Sequence, residues 1–196
     1  MKERPILFSA PMVRAILQGK KTQTRRIVKP QPESFVTKFS VNEHGIGISA
    51  DEAQNHVWKC PYGVAGDRLW VRETWGLFDS QPSDGPERAH VFYRATDGHR
   101  HELRFQLWRP SIHMPRWASR ITLEVVAVRV ERLQDITDKD VFCEGIQQAV
   151  DEGLQGDGSA RGAFRELWSS INGADSWAAN PWVWVVEFRS LHGGAS

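Results

Sequence analysis

The segment from residue 120 to residue 133 is the longest strand-like stretch of the chain and constrains the fold most. Its apolar residues form two sets of opposite parity: Ile121, Leu123 and Val125, then Val126, Val128 and Val130. Successive side chains of a strand point to opposite faces. The change of phase at Val125–Val126 therefore predicts a β-bulge or a strand buried on both faces.

Further strands and helices are predicted on both sides of this segment. They are a short helix over 11–17, strands over 69–75 and 182–188, a short helix from Thr137 to Glu144, and an amphipathic helix carrying Phe164, Leu167, Trp168 and Ile171. The coarse order is helix, strand, insertion, strand, insertion, long strand, short helix, helix, strand. This order predicts an α+β fold with a curled, mostly antiparallel sheet.

Two polar segments read as insertions, near residues 31–60 and 77–116. They contain weaker strand signals over 35–39, 45–48 and 91–93. In the second, residues 108–117 interleave tryptophan with arginine; they could stack on a flat heterocycle or pack at the rim of the sheet. We expect a single domain over 1–192, with residues 193–196 as a fraying tail.

Composition excludes several classes of protein. The chain has 196 residues, a net charge of +1 and two cysteines far apart, Cys60 and Cys143. Such a charge predicts that any polyanion site is local. The cysteines favour a reduced, cytoplasmic protein, and no stretch is long enough to cross a membrane. The spacing of His56 and Cys60 could hold a metal, but no other Cys or His pair completes a ligand set, so we predict no metal and no cofactor.

The stretch Gly19–Arg26 is rich in side chains that can bind or react, with four cations and two hydroxyls in eight residues. A strand starting at Thr22 places Thr24 and Arg26 on one face. Lys21 has the opposite parity and can reach Thr24 only from the turn before the strand. The alternative is an ordinary strand edged with solvated charge.

A carboxylate at the end of a short helix is the second candidate for chemistry. Thr137 and Asp140 resemble a capping box with Asp in place of Glu, and Gly145 ends the helix. Glu144 therefore lies at the negative end of the helix dipole, which is mildly unfavourable for a carboxylate. A role other than helix stability becomes more plausible for Glu144.

Residues 16–26, Ile-Leu-Gln-Gly-Lys-Lys-Thr-Gln-Thr-Arg-Arg, resemble the opening motif of the ASCH domain, a branch of the PUA-like β-barrels. Segments 66–71, 133–145 and 183–188 resemble, in order, the family's turn and second strand, its long-strand exit with short helix, and its closing strand. With residues 108–117 included, the pattern is similar to larger ASCH proteins of bacteria and prophages. The resemblance implies a PUA-like barrel.

Within that family, the small bacterial N(4)-acetylcytidine amidohydrolases use a Thr, a Lys and a Glu with an auxiliary Arg. These positions fall on Thr24, Lys21, Glu144 and Arg26. The resemblance implies hydrolysis of the amide of an N(4)-acylated cytosine base or nucleoside without a metal. Thr24 is the expected nucleophile, Lys21 the base, Glu144 the proton donor, and Arg26 a substrate-positioning group.

Two further expectations concern Lys21 and the substrate. Neighbouring cations should lower the pKa of Lys21, which a base requires. Trp70 and Arg72, on the face of their strand opposite Leu69 and Val71, could line a cleft and bind substrate.

The competing prediction is an RNA-binding module or a metal-independent ribonuclease. The cations Arg14, Lys20, Lys21, Arg25, Arg26 and Lys29 would form a basic strip, and tryptophans would offer stacking surfaces. In a ribonuclease, the RNA 2′-hydroxyl would be the nucleophile and Thr24 only auxiliary. A pure binding barrel, in which Thr24 is simply a strand residue, is a third alternative. The expected partner is thus a modified cytosine nucleoside or RNA.

Overall fold

The computed structural model describes residues 1–32, 39–42, 46–49, 57–77, 91–99, 107–146 and 159–191. The strands are β1 (Glu3–Leu7), β2 (Gln23–Ile27), β3 (Phe39–Val41), β4 (Ile46–Ser49), β5 (Val57–Lys59), β6 (Arg68–Arg72), β7 (Trp75–Leu77), β8 (Val91–Tyr93), β9 (Thr122–Arg132) and β10 (Trp182–Ser190). The helices are α1 (Ala10–Leu17), α2 (Arg94–Asp97), α3 (Asp138–Cys143) and α4 (Ala160–Asn172).

The main sheet has five strands in the order β1-β6-β9-β10-β2. The pair β1 and β6 is parallel, and the other three pairs are antiparallel. The predicted α+β class with a mostly antiparallel sheet is confirmed. Strand β1 was not predicted, because charges at Lys2, Glu3 and Arg4 and the ring of Pro5 obscure its alternation; Pro5 is tolerated because β1 is an edge strand.

The predicted bulge is present in β9. Glu187 of β10 lies opposite Ala127, whereas Phe188 lies opposite Val125, so Val126 has no partner in the ladder. The side chain of Val126 is 50% exposed, and that of Val125 is fully buried. The bulge thus explains the change of phase in the sequence and bends the strand.

Strand β10 separates two apolar cores. Trp182, Trp184, Val186 and Phe188 belong to the first core, which also contains residues of α1, β6 and β9. Val183 and Val185 belong to the second, with side chains of α3 and α4. This two-sided burial accounts for the nearly continuous apolar run of β10.

The main sheet does not close into the predicted barrel. In the described part of the chain, β1 and β2 are its edges, and no backbone pairing joins them. Helix α1 connects these edges, and its buried Val13 and Ile16 pack into the first core. A side chain bridges the gap instead, since Arg26 Nη2 of β2 donates to the carbonyl of Leu7 at 2.9 Å. The architecture is therefore an open sheet with a side-chain bridge.

Two small sheets lie within the predicted insertions. Strands β3, β4 and β5 form an antiparallel sheet, and β7 pairs with β8. The signal over 35–39 lies mostly outside the described residues, as do His56 and the tail over 193–196. No helix among the described residues is long and apolar enough to span a bilayer.

Candidate active site

Helix α3 is fixed at both ends by its own sequence. The Thr137 hydroxyl accepts from the backbone N–H of Asp140 at 3.2 Å, and the Asp140 carboxylate accepts from the backbone N–H of Thr137 at 3.1 Å, which is the predicted capping box. Partial burial opposes ionisation of Asp140, but the bonds from Thr137 and from Gln23 and the nearby Arg25 outweigh it, lowering its pKa to about 2. The helix therefore presents Glu144, its C-terminal capping residue, in a defined position.

The end of α3 is joined to the start of β2. Lys21 and Glu144 form an isolated antiparallel bridge, and the backbone N–H of Thr22 donates to the carbonyl of Cys143 at 2.9 Å. Gly145 follows with a φ of +83°, and a Cβ at this position would lie 2.8 Å from the Cβ of Ala15 and 3.0 Å from that of Lys21. Only glycine fits this close approach without strain.

The Lys21 ammonium is fully buried and paired with Glu144. Its Nζ donates to Glu144 Oε2 at 2.7 Å and to the Glu144 carbonyl at 2.8 Å. Burial lowers the pKa of Lys21, Glu144 opposes this, and Arg26 and Arg25 lower it further by smaller amounts. The predicted direction is confirmed, but burial rather than the neighbouring cations is the main cause.

Arg25 is a member of this cluster that the sequence analysis did not assign to the site. Its side chain is fully buried, and it lies near three carboxylates: Glu131 at 3.0 Å, Asp140 at 3.4 Å and Glu144 at 3.4 Å. Glu144 thus shares its two oxygens, Oε2 with Lys21 and Oε1 with Arg25. The sequence pattern that could have identified Arg25 is strand alternation, because Arg25 falls on the same strand face as Gln23 and Lys21.

Thr24 and Arg26 lie on the opposite face of β2, as predicted. Thr24 is fully buried, and its hydroxyl accepts from Arg26 Nη1 at 2.7 Å. The Phe8 ring lies between the two faces of the cluster, with its centroid 5.3 Å from Arg26 Cζ and 5.7 Å from Lys21 Nζ. Arg26 and Lys21 are thus placed around one aromatic ring.

A cavity of about 900 Å³ opens beside the cluster. Arg25, Arg26 and Glu144 contribute to its wall, whereas Lys21 and Thr24 are not among the lining residues. Helix α4 supplies an apolar wall of Phe164, Leu167, Trp168 and Ile171. The structure therefore brings Glu144 and Arg26 to one concave surface, with Lys21 bonded to Glu144 and Thr24 bonded to Arg26.

Trp70 and Arg72 are not part of the cavity wall. Arg72 donates through Nε to the carbonyl of Met114 at 3.1 Å and through Nη2 to the carbonyl of Ile112. The Arg72 guanidinium also lies 5.4 Å from the Trp70 ring. Their assignment to substrate binding remains a prediction, and in this structure they connect β6 to the second insertion.

The tryptophans and arginines of the second insertion stack on partners within the protein. Three pairs have guanidinium carbons within 6.0 Å of an indole centroid: Arg94 with Trp108, Arg109 with Trp75, and Arg116 with Trp70. Rim packing therefore accounts for these contacts. Among the described residues there is no group of three or more His, Cys, Asp and Glu side chains that could hold a metal ion.

Comparisons with known proteins found no matching family model, no matching curated protein and no matching solved structure. Inference about function therefore depends on the chemistry of the buried cluster and on the motif at Gly19–Arg26.

Proposed function

We propose that the protein is an amidohydrolase that removes the acyl group from N(4)-acylated cytosine bases or nucleosides. One observation carries the proposal: a buried Lys21–Glu144 pair lies beside a cavity, and Arg26, in the wall of that cavity, holds the hydroxyl of Thr24. This combination provides a nucleophile, a base and a proton donor.

The reaction proceeds in two steps. Thr24 Oγ1 attacks the acyl carbonyl, its proton passes to Lys21, and the carbon–nitrogen bond breaks as Glu144 protonates the leaving amine. This yields the free cytosine amine and an acyl ester on Thr24. Water then hydrolyses the ester, which releases the carboxylic acid and restores the threonine hydroxyl.

The hydrogen bond between Lys21 and Glu144 prepares both groups for these roles. A proton that moves from Nζ to Oε2 along the 2.7 Å bond leaves a neutral amine and a neutral carboxyl group. The neutral amine is the form that accepts a proton, and the neutral carboxyl is the form that donates one. Burial favours this transfer because it disfavours the charged amine.

Arg26 orients the nucleophile and faces the cavity. Its guanidinium is fixed by bonds to the Thr24 hydroxyl and to the carbonyls of Arg25 and Leu7. A fixed cation at this position stabilises the oxyanion that forms as Thr24 attacks. The apolar wall from α4 limits water around the reacting amide.

The RNA-binding alternative has less support from the geometry. Two cations of the predicted basic strip, Lys21 and Arg25, are fully buried and paired with carboxylates. Neither can contact a phosphate at the surface. The basic strip therefore has fewer exposed cations than the sequence predicts. The alternative of an ordinary strand edged with solvated charge is wrong for Lys21 and Arg25, because both side chains are buried.

The test compares Thr24 with Thr22, an exposed threonine just before β2. With N(4)-acetylcytidine as substrate, Thr24→Ala should slow release of acetate by about a thousandfold or more. Thr24→Ser should retain part of the activity, and Thr22→Ala should resemble the wild type. Acetate release by Thr24→Ala at near the wild-type rate would remove Thr24 as nucleophile.

A structured RNA, assayed with and without a chelator, separates the competing activity. A ribonuclease that uses the RNA 2′-hydroxyl should lose far less with Thr24→Ala than an amidohydrolase does. Cleavage of RNA by both wild type and Thr24→Ala, without deacylation by either, would favour the ribonuclease.

A further inference from the structure

The described residues of the cavity wall carry an excess of positive charge. Among the described residues that line the cavity, four are cations, Arg25, Arg26, Lys29 and Lys59, and one is a carboxylate, Glu144. Arg25 and Glu144 are paired with each other. Arg26, Lys29 and Lys59 therefore leave this part of the cavity positively charged, although the net charge of the whole chain is only +1.

The fold brings Lys29 and Lys59 to one place from distant parts of the sequence. Lys29 follows β2, and Lys59 ends β5 in the first insertion. The indole Nε1 of Trp58 donates to the carbonyl of Pro30 at 2.9 Å, which ties the residue before Lys59 to the residue after Lys29. Gln31 anchors the same segment, since its side chain bonds to both the N–H and the carbonyl of Trp182.

Both ammonium groups are available to a ligand. Lys29 and Lys59 are exposed, and neither has an ion pair or hydrogen bond through its side chain among the described residues. A neutral nucleoside offers no charge to complement them. A phosphate offers a charge-assisted acceptor to each.

We propose that the substrate is a phosphorylated cytosine derivative and that Lys29 and Lys59 bind its phosphate. This inference rests on the proposed function and narrows its substrate class from a nucleoside to a nucleotide unit. The cavity of about 900 Å³ lies within the range of small-molecule sites and accommodates base, sugar and phosphate together. The first insertion thus contributes to specificity by supplying Lys59.

The test uses the double substitution Lys29→Gln/Lys59→Gln. The control is Lys20→Gln, which changes an exposed lysine beside Lys21 that is not among the cavity-lining residues. Wild type should deacylate N(4)-acetylcytidine 5′-phosphate with a kcat/KM roughly tenfold or more above that for N(4)-acetylcytidine. The double variant should lose this preference and keep its activity on the nucleoside, and Lys20→Gln should retain the preference.

Two further measurements test the phosphate preference: its dependence on salt concentration, and the kcat/KM for an acetylated oligonucleotide. The preference for phosphate should weaken between about 50 mM and 500 mM salt, because exposed ion pairs are screened. A short RNA with one acetylated cytosine distinguishes the source of the phosphate: higher kcat/KM on the RNA identifies a phosphodiester, and higher kcat/KM on the nucleotide identifies a free monoester.

The possible outcomes separate this inference from the proposed function. Equal kcat/KM for nucleotide and nucleoside in wild type would overturn phosphate recognition and leave the amidohydrolase intact. If no acylated substrate reacts, the amidohydrolase fails, and calorimetry with cytidine 5′-phosphate and cytidine decides the inference alone. Tighter binding of the phosphate form, lost in the double variant, would support it; equal binding would overturn it.

Discussion

Replacing Glu144 with glutamine removes the carboxylate that faces the buried Lys21 ammonium while conserving the size of the side chain. Lys21 Nζ would keep its bond to the carbonyl of residue 144, which lies at 2.8 Å in the wild type, but would lose its ion pair. Arg25 would still have Glu131 and Asp140 as partners. The perturbation therefore acts mainly on the charge of Lys21.

The size of the effect follows from burial. Removing one partner of a buried ion pair costs about 3–5 kcal/mol of the free energy of unfolding. Lys21 can also lose its proton, and the neutral amine needs no ionic partner, so the cost of deprotonation limits the loss. For an ordinary lysine with a pKa near 10.4, deprotonation at pH 7 costs about 4.6 kcal/mol, at about 1.36 kcal/mol per pKa unit. We expect Glu144→Gln to lose about 3–4.6 kcal/mol of the free energy of unfolding at pH 7.

The pH dependence gives a second, independent signature. The pKa of Lys21 is lower in the folded than in the unfolded protein, so the unfolded chain binds this proton more strongly. Between the folded pKa and about 10.4, stability from this group therefore rises with pH. Glu144 opposes the lowering, so its removal extends this window to lower pH. The deficit of the variant should shrink between its own folded Lys21 pKa and that of the wild type, and it should stay constant above the latter.

Urea unfolding at pH 7 and at several higher pH values measures both effects. Glu166→Gln, at an exposed position of α4, is the matched control and should stay within about 0.5 kcal/mol of wild type. A loss below about 1 kcal/mol for Glu144→Gln at pH 7, or a loss that grows as pH rises, would refute the argument that Lys21 is a buried cation dependent on this carboxylate.

Three further outcomes are expected. Wild-type deacylation should rise with pH through the lowered pKa of Lys21, and Lys21→Arg should be nearly inactive, since guanidinium keeps its proton; survival of deacylation in this variant would exclude Lys21 as the base. Gly145→Ala should lower the urea midpoint more than Gly19→Ala does, because both positions have positive φ but only Gly145 has side chains, including that of Ala15, within 3.0 Å of an added Cβ; equal losses would contradict this. The pKa of Asp140 is lowered to about 2, so its contribution to stability is present above about pH 4 and is lost as pH falls towards 2; Asp140→Asn should flatten the loss of stability over this range, and equal slopes in acid titrations of both proteins would contradict it.

The sequence predicted the features that depend on a short window of residues. The bulge at Val126 follows from alternation along one strand, and the cap at Thr137 follows from the side chain three residues later. The helix of residues 160–172 follows from apolar spacing. Each is governed by backbone geometry that repeats every two or every 3.6 residues, so local pattern is sufficient.

The motif at Gly19–Arg26 also identified a cluster of real side-chain contacts. Arg26 and Thr24 share one face of β2, and Lys21 and Glu144 are in direct contact although 123 residues apart. No local sequence pattern predicts a contact between residues so far apart in the chain. The resemblance of the motif to a family assigned Lys21 and Glu144 to one site, and only the structure showed that they are in direct contact.

Only the tertiary structure decided which charges are buried and which face the cavity. Lys21, Arg25 and Lys59 are all cationic side chains, and the sequence alone does not distinguish their burial. In the structure, Lys21 and Arg25 are buried and paired with carboxylates, whereas Lys59 is exposed at the cavity wall. Burial depends on how α1, α3 and the first insertion pack around the sheet, and these segments are far apart along the chain. A lysine's pKa, and therefore its ability to act as a base, is set by that packing and not by its immediate neighbours in sequence.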